Sequence, residues 1–86
     1  MAIKLIKFST VWCGPCKTYD PIFDEFVTEN GIIYEKIDCD ARPDTMQAYN
    51  IRGVPTTVVV KDGVEIGRAS GVLSKSALQS LVSAES

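Results

Sequence analysis

The sequence predicts an α/β domain: a four-stranded mixed sheet with helices on both faces, in the order β-α-β-α-β-β-α. Three observations carry that reading. Two β-favouring runs, Ile3 to Ser9 and Ile32 to Cys39, flank a long amphipathic stripe, the pattern of a right-handed crossover between parallel strands. Asp62-Gly63 separates two further β-favouring runs and signals a hairpin, because both central residues of such a turn need positive φ. A chain of 86 residues supplies apolar surface for one core only, so residues 1–86 are expected to form a single domain.

The first strand is largely apolar and begins almost at the first residue. Pro15 then sits where a helix can begin, since its missing N–H costs nothing in the first turn. Tyr19, Ile22, Phe23, Phe26 and Val27 recur at helical spacing and define one buried face. Asp20, Asp24, Glu25 and Glu29 lie off that stripe and read as a solvated face. Pro21 interrupts the hydrogen-bond ladder and should bend the helix; Asn30-Gly31 is its stop signal. After the second strand, Ala41-Arg42-Pro43-Asp44 reads as a turn into a short helix ending near Tyr49. Pro55 to Lys61 and Val64 to Ser70 form the hairpin. Ser74 is a candidate N-cap for a last helix whose apolar stripe is Ala77, Leu78, Leu81 and Val82.

Composition removes several classes of function. Nine basic and eleven acidic residues leave a net charge of −2, which offers no basic field for phosphate backbones, so nucleic acid is not an expected partner. No apolar run approaches the roughly 18 residues that would span a bilayer. The N-terminus carries lysines inside its apolar stretch and no small-residue cleavage site, so a cytoplasmic location is expected; an exported protein already trimmed would read the same way. Histidine is absent, which excludes Ser-His-Asp and Cys-His hydrolases and any His-bearing zinc site. The cysteines are Cys13, Cys16 and Cys39, an odd and sparse set for a secreted disulfide scaffold.

The chemistry concentrates in Trp12-Cys13-Gly14-Pro15-Cys16-Lys17. Two cysteines three positions apart at a helix start can be bridged, because one turn brings their side chains to the same side. Their positions are unequal. Cys13 lies where unpaired amides and the helix dipole favour a negative sulfur, by up to about 2 kcal/mol. Cys16 lies one turn deeper. Cys13 would therefore attack as thiolate and Cys16 would resolve the mixed disulfide. A metal site is the weaker alternative, since it normally needs four protein ligands and only Cys39 remains. Cys39 itself reads as a small apolar strand residue, with a regulatory thiol as the alternative.

This segment, preceded by a strand and opening a helix, resembles the active site of the thioredoxin family. Pro21 matches the family's helix-bending proline. Asn50-Ile51-Arg52-Gly53-Val54-Pro55-Thr56 resembles its cis-proline segment, Lys61-Asp62-Gly63 its hairpin turn, and Gly71-Val72-Leu73-Ser74-Lys75 the lead into its last helix. The resemblance runs in order from Ile3 to the C-terminus. It implies a thioredoxin-like fold and a reductase of protein disulfides, with Cys13 as nucleophile and Cys16 as resolving thiol. It also implies a cis peptide before Pro55 and a Val54 backbone that pairs with extended substrate. Trp12, Gly14, Pro15, Gly53, Gly71 and Val72 would form a shallow apolar rim. No cofactor is expected on the chain; its disulfide would be recharged by thioredoxin reductase, which draws on NADPH through a flavin. Ribonucleotide reductase and peroxide- or sulfur-metabolising enzymes are the implied clients, and a monomer is expected.

Three departures from the family pattern stand out. The usual first strand and helix are missing, so four strands are expected rather than five, in an order closer to a glutaredoxin core. Lys7 replaces the buried acid six positions before the first cysteine, to which the family assigns the proton of the resolving thiol. Ser9 replaces a tryptophan, which makes the floor of the site smaller and more polar. Two readings of Lys7 follow. Its ammonium, aided by Lys36, would stabilise the Cys13 thiolate and make the protein more oxidising; or it would snorkel to solvent at a sheet edge left open nearby. The competing functions are accordingly an oxidant or isomerase, a glutathione-dependent glutaredoxin-like enzyme, and a docking subunit of a larger complex.

Overall fold

A computed structural model describes residues 3–85 of the chain. Strand β1 (Ile3–Ser9) leads into helix α1 (Gly14–Asn30). Strand β2 (Ile33–Asp38), the short helix α2 (Asp44–Ala48), the hairpin strands β3 (Thr56–Lys61) and β4 (Val64–Ser70), and helix α3 (Lys75–Glu85) follow. The sheet order is β2-β1-β3-β4. β1 runs parallel to β2, pairing Lys7 with Lys36, and antiparallel to β3, pairing Lys7 with Thr57. β3 and β4 are antiparallel, with an irregularity between Val59 and Val60. This is the four-stranded mixed sheet that the sequence predicts.

Turns and caps fall where their chemistry requires. Asp62 and Gly63 have φ of 52° and 82°, the left-handed pair of a tight hairpin turn. Gly31 closes α1 at φ 60°, and its N–H reaches back to the helix. Ile32 donates to Val27 O at 3.0 Å and so belongs to that cap rather than to β2, which begins one residue later. The Ser74 hydroxyl accepts from the Ala77 N–H at 3.1 Å, the N-cap bond expected of it.

Strand alternation splits the core in two. On one face Leu5 and Val59 pack against Tyr19, Phe23, Phe26 and Val27 of α1 and Leu78 of α3. On the other, Ile6, Phe8, Ile37 and Val58 pack with Cys39 and Ile51, and Met46 and Tyr49 close over them. Cys39 is a buried free thiol just beyond the end of β2, its N–H donating to Ser9 O at 2.8 Å. Burial pushes that thiol's pKa up.

The acidic stripe on α1 is not merely solvated. Asp20 pairs with Lys7, Asp24 with Lys36, and Glu25 and Glu29 both with Lys75 of α3. Helix α1 is thus tied to the sheet and to α3 by charge as well as by its apolar face. A lysine at an open edge would have kept its amine in water, but β1 is an interior strand, so Lys7 does not snorkel and is 1% exposed.

Candidate active site

Cys13 is the N-cap residue of α1, with extended backbone angles (φ −84°, ψ 111°) and proline in the first turn. Its Sγ accepts the backbone N–H of Cys16 at 3.1 Å. A sulfur in that place receives one of the amide donors the helix cannot satisfy internally, which favours the thiolate over the thiol. Cys13 and Cys16 are joined as a disulfide, with Cα atoms 5.2 Å apart. Their surroundings differ: Cys13 is half-buried, whereas Cys16 is 3% exposed.

The loop that faces the pair is fixed from below. The Val54–Pro55 peptide is cis, and Val54 O lies 3.7 Å from Cys13 Sγ. Thr56 donates its hydroxyl to Gly53 O at 2.7 Å. Ile51 N–H donates to Met46 O at 2.7 Å, and Gly71 N–H to Pro55 O at 2.8 Å. Gly71 has φ 88°, a conformation that side chains disfavour, and its bond brings the end of β4 beside Pro55. Arg68 completes the support. Its guanidinium pairs with Glu65 and donates to Asn50 O at 3.2 Å and Tyr49 O at 2.8 Å, just before the loop turns through Asn50 at φ 54°. Sequence reasoning missed Arg68, because only the hairpin geometry sets it against the end of α2.

Around the sulfurs the surface is apolar and open. Trp12 is 81% exposed and Val72 43%, with Val11, Gly14, Pro15 and Gly53 also exposed. Direct contacts bring Cys13, Cys16, Val54, Pro55 and Gly71 together; Trp12, Gly14, Pro15, Gly53 and Val72 are their chain neighbours. Lys7 and Lys36 are turned towards helix α1. Their amines are engaged by Asp20 and Asp24, and the Lys7 amine also lies 5.5 Å from the centre of the Phe23 ring. Burial, then the like charge of Lys36, pulls the Lys7 amine down to about 8, with Asp24 opposing. Next to Lys7, Tyr19 and Thr57 share a hydroxyl hydrogen bond of 2.7 Å, and burial pushes the Tyr19 phenol up to about 12. Behind the disulfide a cavity of ≈ 400 Å³ is lined by Ser9, Thr10, Cys16, Lys17, Asp20 and Asp38 among others.

The thioredoxin family model matches residues 2–84. The chain belongs to the thioredoxin family. It is 40% identical over 83 residues to a thioredoxin of Coprinus comatus, covering 93% of this chain and 77% of the relative. It is 36% identical over 76 residues to a thioredoxin of Mycobacterium bovis, covering 86% and 66%. A Streptomyces coelicolor relative, 33% identical over 79 residues, is longer still: 91% of this chain aligns with 59% of it. Among solved structures, a thioredoxin variant from Halobacterium salinarum NRC-1 superposes with a TM-score of 0.89 at 31% identity, over 96% of this chain and 74% of that one. A malarial protein superposes with a TM-score of 0.90 over 99% of this chain and 98% of its own, at 20% identity, a likeness of fold. A four-stranded thioredoxin-like sheet therefore carries the Cys13–Cys16 pair.

Proposed function

We propose that this protein is a single-domain thiol–disulfide oxidoreductase that reduces protein disulfides. The observation that supports it most is the placement of Cys13: a half-exposed sulfur capping a helix and accepting the Cys16 amide at 3.1 Å, with its bonding partner buried behind it.

In the reduced protein the Cys13 thiolate attacks one sulfur of a client disulfide. The other client sulfur leaves as a thiolate, and Cys13 is held in a mixed disulfide. Cys16 then loses its proton and attacks Cys13 Sγ. The Cys13–client bond breaks, the second client sulfur leaves, and two electrons have passed from the dithiol to the client. The rim of Trp12, Gly14, Pro15, Gly53, Gly71 and Val72 receives the client's apolar surface. The Val54 backbone pairs with its extended chain, as a strand added to an edge would.

Family membership supports recharging by a thioredoxin reductase that uses NADPH and a flavin, and clients of the ribonucleotide reductase kind. We place the protein in the cytoplasm as a monomer. The test is reduction of insulin disulfides, with wild type compared with Cys13→Ser. Wild type should turn over with NADPH and a thioredoxin reductase and poorly with glutathione, and Cys13→Ser should be inactive. Activity that survives the substitution, or that only glutathione sustains, would refute the reading.

A further inference from the structure

The resolving step requires Cys16 to lose a proton although its side chain is buried. The cavity behind the disulfide is where that proton can go. It is lined by Cys16 itself and by Asp20, one helical turn further along α1. The Asp20 carboxylate is divided in its surroundings. Oδ1 is shut off from solvent and faces the Lys7 amine, whereas the side chain as a whole is half-exposed and lines the cavity.

We propose that Asp20, held by the buried Lys7, accepts the Cys16 proton through water in this cavity and is the proton acceptor of the resolving step. The proposal rests on the dithiol reading above. In that step the Cys16 sulfur bonds to Cys13 Sγ, the Cys13–client bond breaks, and the client sulfur leaves with the electron pair. The Cys16 proton passes to Asp20 and from there to solvent or to the departing thiolate.

Lys7 acts as the positioning residue. Its ammonium engages one carboxylate oxygen and leaves the second free to serve as a base. The other charged groups facing this region are Lys36 of β2 and Asp24 of α1, already paired with each other, and Lys17 and Asp38 on the cavity wall. Asp38, at the C-terminal end of β2 opposite Ser9, accepts the Asp40 N–H through Oδ1 at 2.9 Å. Asp20 is thus the carboxylate that shares both the α1 helix and the cavity with Cys16.

A dithiobis(nitrobenzoate) disulfide separates the two halves of the reaction in a stopped-flow instrument. Its first coloured thiolate is released when Cys13 attacks, its second when Cys16 resolves. Asp20→Asn should slow the second release at neutral pH by at least about tenfold and move its pH profile to higher pH, with the first release within about twofold of wild type. The loss stays below that of a fully positioned base because cavity water remains as a poorer acceptor. Asp20→Glu should recover part of the rate, and Lys7→Met should displace the profile of the second release alone. The double variant Lys7→Met/Asp20→Asn leaves no buried charge unpaired and should repeat the slow second release in a protein that folds. A second release with unchanged rate and pH profile in Asp20→Asn and in the double variant would overturn the proposal. A wild-type protein with no Cys13-dependent first release would instead overturn the dithiol reading on which it rests.

Discussion

Lys7 and Asp20 form an ion pair between the middle of an interior strand and the helix that carries the cysteines, with the lysine side chain 1% exposed and the aspartate 50%. The sheet brings Lys36 alongside Lys7 and the helix brings Asp24 one turn beyond Asp20, so two strand lysines meet two helix carboxylates in register. A polar layer therefore runs beneath α1, next to the Tyr19–Thr57 hydrogen bond and on the same face as Phe23 and Leu5. Removing a charge from that layer should alter stability in ways that depend on pH.

The Lys7 amine loses its proton near pH 8 in the folded protein and near 10.5 when unfolded. Between those values the unfolded state binds the extra proton, so stability gains with rising pH. Relative to Lys7→Met, wild type should therefore gain up to about 3 kcal/mol between pH 8 and pH 10.5. Tyr19 and Cys39 lose stability at the alkaline end, because burial raises both groups, but they are common to the two proteins and cancel in the difference. Urea unfolding of both proteins across this range checks it. A flat difference would show that the amine is not desolvated as described.

Tyr19→Phe removes the phenol and leaves the buried Thr57 hydroxyl without its partner. The expected cost is about 1–3 kcal/mol at neutral pH, the range for orphaning a buried polar group. The variant should also lose the stability decline that wild type shows between pH 10 and about pH 12, where the unfolded phenol ionises and the folded one does not. Chemical denaturation at neutral and alkaline pH measures both effects.

Arg68→Ala frees the carbonyls of Tyr49 and Asn50 from the guanidinium that anchors them. The contacts are exposed, so the global cost should be about 1 kcal/mol or less. The larger effect should fall on the loop leading to Val54 and Pro55. A few-fold rise in KM for a protein disulfide with kcat little changed is expected, the sign of lost client binding rather than of damaged chemistry. Steady-state insulin reduction distinguishes the two.

Much of the fold is readable from local sequence. Asp62-Gly63 specifies its turn because few residues accept positive φ there, and Ser74 specifies a helix start because its hydroxyl can take an orphan amide. The Tyr19, Phe23, Phe26 and Val27 stripe identifies the buried face of α1 because its period is that of a helix. The strand ends were less legible. Ile32 looks like strand but is taken by the α1 cap, and Cys39 lies one residue past β2. The polar layer was not readable at all. Asp20 looks like any exposed helical acid until the strand order places Lys7 opposite it, and Arg68 looks like an ordinary strand residue until the hairpin lays it against the end of α2. The cysteine motif marks the site, whereas the charges behind it depend on tertiary packing.

Of two sulfurs three residues apart, one caps a helix and the other lies buried within it, and their reactivities should differ accordingly. Alkylation of the fully reduced protein with iodoacetamide across pH, followed by peptide mapping, measures that difference directly. Cys13 should be modified at neutral pH at least about tenfold faster than Cys16, as expected for a thiolate favoured by roughly 1.4 kcal/mol or more. Equal rates at the two positions, or faster modification of Cys16, would contradict it.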